Sequence, residues 1–245
     1  MNLLNEIDRR MQIINEIRPF EGLYLKQINQ FFRTETTYSS NAVEGNTLTL
    51  AETKMILEDG ITIGGHPIRE FYEAEGHGKA YDFMFSLIKK RDITEKDILY
   101  CHELFSKNIP DFIDPGAYRK VEVLISGSKK ILPKAADVPK KMREYAEWIK
   151  KDRDKLHPVM FAAEAHRKLV NIHPFTDGNG RVSRLVMNTF LYQDKLFPVS
   201  IPILRRMDYY NSLEKNDSGE FGIYIAELEL KTLKDLMRFL HLEHT

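Results

Sequence analysis

Residues 172–184 read IHPFTDGNGRVSR, and the rest of the 245-residue chain is organised around them. The apolar spacing predicts a helix running into this stretch over about 158–171 and a second leaving it over about 180–193. The loop between them then lies at a helix N-terminus, where free backbone N–H groups and the helix dipole favour an anion. Gly178 and Gly180 are expected to take positive-φ conformations and let the backbone approach a ligand closely. Arg181 and Arg184 are three apart, so both project from the first turns of the helix and can fork onto phosphate oxygens. Asp177 offers hard oxygen ligands for magnesium. His173 is the one side chain in the stretch that can accept a proton near neutral pH. Taken together, these residue types suit a magnesium-bound polyphosphate with a general base beside it.

The stretch resembles, position by position, the signature H-x-F-x-D/E-G-N-G-R-x-x-R of the Fic (filamentation induced by cAMP) family. His173, Phe175, Asp177, Gly178, Asn179, Gly180, Arg181 and Arg184 are all present. The resemblance implies transfer of a nucleotide monophosphate, usually AMP from ATP, to a Ser, Thr or Tyr hydroxyl of a target protein. It further implies that His173 takes the proton of the attacking hydroxyl and that Asp177 holds Mg2+ or Mn2+. Gly178, Asn179 and Gly180 would cradle the α- and β-phosphates, with Arg181 on the β-phosphate and Arg184 on the γ-phosphate. Phe175 is expected to point into the core and anchor the loop.

Upstream, Ser40-Asn41-Ala42-Val43-Glu44-Gly45 is similar to the S/T-x-x-x-E-G/N motif with which such proteins inhibit themselves. Its position N-terminal to the signature matches the subclass whose inhibitory helix precedes the catalytic core in one chain (class II). Ser40 and Glu44 are four apart and share a helical face. The resemblance implies that Glu44 pairs with Arg184 and takes the place that the γ-phosphate needs. The same glutamate positions water for removal of AMP in some relatives, so a de-AMPylase remains an alternative. So do transfer of another nucleotide and a catalytically silent ATP-binding regulator, although the intact His173 argues against the last.

Composition bounds the partners. Lys+Arg and Asp+Glu are both 36, a net charge of zero, which gives no electrostatic argument for nucleic acid or an anionic membrane. Cys101 is the only cysteine, excluding an intramolecular disulfide and a cysteine-rich metal site. His77, His102 and His157 lack metal-ligand spacing. No apolar run approaches the roughly 18 residues of a membrane span, and the charged N-terminus lacks a signal-peptide pattern. A cytoplasmic protein is expected, with auto-modification and a homodimer left open.

The remaining periodicity predicts an all-α Fic fold, a helical bundle with one small β-hairpin flap. Helices are expected over about 3–17, 23–43, 49–59, 69–90, 94–105, 138–151, 208–216 and 220–242. Thr49 with Glu52 forms a capping box, and Thr94 with Asp97 opens another helix. The alternating run VEVLIS (121–126), a Gly-Ser turn and KKILP (129–133) read as the hairpin. By resemblance this flap would hold the target segment by strand addition, with Lys130, Ile131 and Leu132 on its edge. Tyr209, Tyr210 and Leu213 lie where the family tends to place adenine-side contacts, and core packing competes with that reading. His166, seven residues before His173, reads as a packed histidine or a hydrogen-bonding support. The expected division is an N-terminal helical extension over 1–60 carrying the inhibitory motif, a catalytic core over 61–215, and a C-terminal helix over 216–245.

Overall fold

In the computed structural model, which describes residues 2–125, 127–128, 130–215 and 218–242, the chain is all-α. In order the helices are α1 (Leu3–Asn15), α2 (Gly22–Val43), α3 (Leu50–Asp59), α4 (Ile68–Ser86) and α5 (Glu95–Ser106). They continue as α6 (Val138–Asp152), α7 (Pro158–Ile172), α8 (Asn179–Gln193), α9 (Arg206–Glu214) and α10 (Ser218–Phe239). Local chemistry sets several of the starts. Thr49 and Thr94 each form a reciprocal capping box, with Glu52 and Asp97 respectively. His157 caps α7 by accepting from the Val159 N–H, and Pro158 follows at the first helical position, where its missing N–H costs nothing.

At the centre lies α8, which buries nearly every residue from Asn179 to Leu191 and therefore touches neighbours on all sides. Phe161 of α7 meets Phe190 of α8 edge-on at 5.0 Å, and Trp148 of α6 stacks on Phe161 at 5.0 Å. The same apolar core takes in Ile7, Met11 and Ile14 of α1, Ile28, Phe32 and Val43 of α2, and Phe221, Ile225 and Leu233 of α10. A smaller cluster of Leu48, Ile56 and Ala74 seats α3 on α4. No helix among the described residues is long and apolar enough to cross a membrane.

Two sequence expectations change. The helix predicted over 69–90 stops at Ser86, because Leu87 and Ile88 turn back to the carbonyls of Met84 and Phe85 three residues earlier. The β-hairpin over 121–133 does not form: among the described residues this segment has no strand, and Ser126 and Lys129 lie outside them. Side chains bridge its two arms in place of a backbone ladder. The buried Arg119 guanidinium donates to Val121 O at 3.0 Å and Pro133 O at 2.5 Å, while Glu122 accepts from the Ala135 N–H at 3.1 Å. Leu124 and Ile131 stand almost fully exposed on these arms. The expected break at Asp217-Ser218-Gly219 falls partly outside the described residues, since Asn216 and Asp217 are among those left out; Ser218 opens α10.

Candidate functional site

Helix α7 ends at His173, which adopts the left-handed conformation (φ 52°) and closes the helix with its N–H on Leu169 O at 3.0 Å. The loop that follows is fastened from several directions. Phe175 is fully buried and lies flat on the His102 ring, with centroids 3.7 Å apart. The Asn179 side chain grips the Phe175 backbone at both ends, accepting from its N–H and donating to its carbonyl, each at 2.9 Å. His102 Nδ1 accepts from the Gly116 N–H at 2.9 Å, so Nε2 carries the proton and donates to Asp177 O at 3.1 Å. Arg119 donates to His173 O at 2.8 Å, joining the loop to the flap segment. Phe175→Ala is expected to destabilise the fold by about 3–5 kcal/mol, read as a lowered urea midpoint at unchanged slope.

These constraints leave His173 with a defined tautomer. Its Nδ1 lies 3.3 Å from Val170 O and so carries the proton, which leaves Nε2 with a free lone pair. Burial pushes the His173 pKa below its ordinary value; the Val170 carbonyl opposes the shift and Arg119 adds to it. The imidazole is therefore neutral near pH 7, as a proton acceptor must be.

On the anion side, Gly178 caps α8 at φ 80°, a conformation glycine takes without strain, and its N–H bonds Asp177 Oδ1 at 2.6 Å. Gly180 departs from the expectation, since it sits within the first turn of α8 and its φ is not positive. Space is what it provides: a Cβ there would stand 2.4 Å from Glu44 Oε1 and 3.0 Å from Arg184 Nη1. Arg181 is buried between Glu73 and Asp177, 3.2 Å from each carboxylate, with its guanidinium 4.5 Å from the Phe105 ring centroid. Arg69 bridges the same two acids from the solvent side, at 3.2 Å from Glu73 and 3.1 Å from Asp177.

Arg184 faces the end of α2. Its Nε donates to Ser40 Oγ and its Nη2 to Ser40 O, both at 2.9 Å. Nη2 also reaches Glu44 Oε1 at 2.7 Å, and Nη1 donates to the Tyr209 hydroxyl at 3.0 Å. Behind it, that hydroxyl lies 3.0 Å from Nε2 of the buried His166. Burial alone would raise the Glu44 carboxyl, but Arg184 and Arg181 hold it below its ordinary value, so it is ionised. Glu44 follows the last residue of α2, where Asn46 N–H returns to Asn41 O at 3.1 Å. Asn46 in turn donates to Glu73 Oε2 at 3.1 Å, so the turn bearing Glu44 and the Arg181 ion pair share one acid.

His173, Asp177, Gly178, Asn179, Gly180, Arg181 and Arg184 thus line one end of the α7–α8 pair, and Ser40 and Glu44 join them from α2. Tyr209 is buried beneath Arg184, Leu213 is buried, and Tyr210 is partly buried with its hydroxyl 3.3 Å from Val43 O. Lys130 crosses from the flap to Asn171 Oδ1 at 2.8 Å and to Leu213 O, whereas Ile131 points to solvent and Leu132 is half-buried. Sequence reasoning missed Glu73, Arg69 and the work of Arg119 and His102. None has a spacing signal, because each acts on the loop from a distant helix or segment. Among the described residues no three His, Cys, Asp or Glu side chains gather as a metal cage.

The Fic/DOC family model matches residues 92–191. The protein adenylyltransferase Fic of Drosophila melanogaster is 37% identical over 235 residues, covering 94% of this chain and 47% of the relative. The chain therefore spans about half the length of the curated relatives it matches. Among solved structures, Fic-1 (a 134–508 fragment) from C. elegans superposes with a TM-score of 0.89 at 29% identity, covering 98% of this chain and 72% of that one. A Fic-domain signaling protein from Bacteroides thetaiotaomicron gives 0.85 at 25% identity, with 95% of each chain covered.

Proposed function

Because the chain belongs to the Fic/DOC family, we propose that it is a self-inhibited protein adenylyltransferase. It moves AMP from ATP to a Ser, Thr or Tyr hydroxyl of a target protein, itself included. The observation that carries the inhibitory part is the 2.7 Å contact between Glu44 and Arg184 over the glycine at the start of α8. A carboxylate in that place occupies the anion position of a helix N-terminus and saturates the arginine that would orient a γ-phosphate.

Each residue then has a task. His173 Nε2 takes the proton of the target hydroxyl, whose oxygen bonds the α-phosphorus as the bond to the β-phosphate oxygen breaks and pyrophosphate leaves. Free N–H groups at the start of α8 face the charge that develops on the phosphate oxygens. Since the Asn179 side chain already holds Phe175, its contribution to the phosphates is through the main chain. Arg181 neutralises the β-phosphate as it departs. Asp177 fits magnesium as a single, half-exposed carboxylate, the kind of donor set that this ion completes with phosphate oxygens and water. The metal would draw charge from the phosphates, and Asp177 would exchange Arg69 and Arg181 for it. The flap, which has no strand among its described residues and exposes Ile131, takes the target as an added strand.

The test is labelling of Glu44→Gly protein with magnesium and either α- or γ-labelled ATP. Retention from the α position alone supports nucleotidyl transfer, whereas retention from γ alone means a kinase-like pose. The rate should stay level from pH 8 down to the ordinary histidine value of 6.5 and fall only below it, because the His173 pKa is depressed. A fall that begins above that value would remove His173 as the base.

One observation favours a second activity at the same site. Glu44 Oε1 is engaged by Arg184, but Oε2 makes no hydrogen bond among the described residues, and the side chain is 28% exposed. That oxygen can hold a water in line with the phosphorus of a modified hydroxyl. As the water oxygen bonds the phosphorus, Glu44 would take its proton, and His173, first protonated at Nε2 from solvent, would give that proton to the departing oxygen as its bond to phosphorus breaks. Release of AMP from pre-labelled protein by the wild type but not by Glu44→Gly is the expected outcome.

A further inference from the structure

Behind the inhibitory turn, on the other face of α2, lies an apolar groove of about 740 Å³. Helices α2 and α10 form its walls and residues 198–203 its floor. Its volume is in the range of about 300–1,000 Å³ typical of small-molecule sites. Phe31, Phe32, Tyr38, Leu236 and Phe239 supply the apolar surface, and Phe31 and Phe239 stand at its rim more than half and half exposed. Exposed rings beside an apolar cleft mark a surface that binds a ligand or a partner.

The charges are uneven. Three ionisable side chains line the groove, the acids Glu35 and Asp235 and the base Lys231. Lys231 and Asp235 satisfy each other at 2.5 Å on one helical face. Glu35 makes no hydrogen bond or ion pair among the described residues and feels Lys231 only from a distance, while burial pushes its carboxyl upward. A half-buried carboxylate among aromatic rings, without a cation of its own, is complementary to a positively charged group with an apolar body.

The groove is also joined to the inhibitory contact. Tyr38, Ser39 and Ala42 line it, while Ser40 and Glu44 on the same turns reach Arg184. Ser39 Oγ donates to Ile201 O at 2.7 Å, fixing α2 to the floor segment that leads into α9 and its Tyr209. Because α2 supplies one wall of the groove, a ligand seated there makes contacts that displacement of α2 would break.

We propose that the groove between α2 and α10 binds an organic cation with an aromatic or apolar body, its positive group on Glu35, and that occupancy reinforces the Glu44–Arg184 contact. Binding itself does not depend on the adenylyltransferase reading; the consequence for activity rests on it. The probe is 2-naphthylmethylamine, titrated by calorimetry against the 245-residue chain, with 2-naphthylmethanol as its neutral counterpart. The amine should bind about tenfold more tightly than the alcohol, a charge-assisted contact being the difference. Glu35→Gln, a substitution of the same shape, should erase that preference. Equal binding of amine and alcohol, or an unchanged preference in Glu35→Gln, would overturn the assignment. So would failure of the amine where a lysine-bearing amphipathic helical peptide binds, which would make the groove a protein-docking site. The coupling has its own readout, hydrogen exchange at amides 40–46. If the moved arrangement does not bind the amine, exchange there slows toward about 100-fold at 100 times its Kd. Unaltered exchange with binding intact would overturn the coupling while leaving the site, and it requires no catalytic activity to measure.

Discussion

Glu44→Gly is expected to raise incorporation from α-labelled ATP into the protein by about 100-fold or more. The estimate follows from geometry: a reacting group held about 1 Å from its productive place loses on the order of 10²-fold in rate. With Glu44 present, its carboxylate stands over Gly180 where a Cβ would already collide at 2.4 Å, so a phosphate cannot share the space. Removing the side chain frees one Nη2 hydrogen bond of Arg184 but leaves its bonds to Ser40 and Tyr209, so the guanidinium stays aimed. The fold should tolerate the change, since the Glu44 side chain is 28% exposed and follows the last residue of α2, where a glycine interrupts no helix. Comparable labelling of wild type and variant would remove Glu44 as the inhibitor. Glu44→Gln should fall between them, because an amide oxygen can still accept from Arg184 but without the charge that strengthens the bond.

The sign of the pH dependence separates this contact from a proton switch. The folded-state pKa of Glu44 is depressed below its ordinary value of 4.5, so the stabilisation is present above that value and is lost only as pH falls through the lower folded one. Between pH 6 and 8 the contact is fully formed. Release therefore requires a competitor for Arg184 or movement of α2, not acidification.

How far these features could be read from the chain depended on how local their causes were. The helices around the signature, the capping boxes at Thr49 and Thr94, and the burial of Phe175 follow from periodicity and short-range hydrogen bonding. The flap did not follow, because alternation over 121–126 encodes an extended chain and not a partner for it; the side chain of Arg119, outside the run, bridges the arms instead of a backbone ladder. Glu73 was invisible for a related reason. Its acid role arises only when α4 is packed beside α8 and the Asn46 turn, which places Arg181, Arg69 and Asn46 around one carboxylate. The Tyr209 hydroxyl shows the same limit: nothing in its neighbourhood in sequence marks it as the support of Arg184 from the side opposite Glu44.

In the Glu44→Gly background, His173→Ala is expected to lower α-label incorporation by about 10²–10⁴-fold, the usual contribution of a positioned general base. No other side chain at the site can take its place. His102 has both ring nitrogens occupied, by the Gly116 N–H and Asp177 O, and burial pushes its pKa down to about 4. His166 is buried beneath Tyr209, with Arg184 between it and the phosphate position. The Asp177 carboxylate is already committed to Arg69, Arg181 and the Gly178 N–H. The loss should appear in the rate at saturating ATP and not in ATP affinity, because His173 makes no contact that a bound nucleotide needs before the proton moves. Binding of a fluorescent ATP analogue to the double variant, unchanged from Glu44→Gly, supplies the control. Labelling that persists in the double variant with binding intact would assign the proton to solvent or to the leaving group, and His173 would become a residue that only shapes the end of α7.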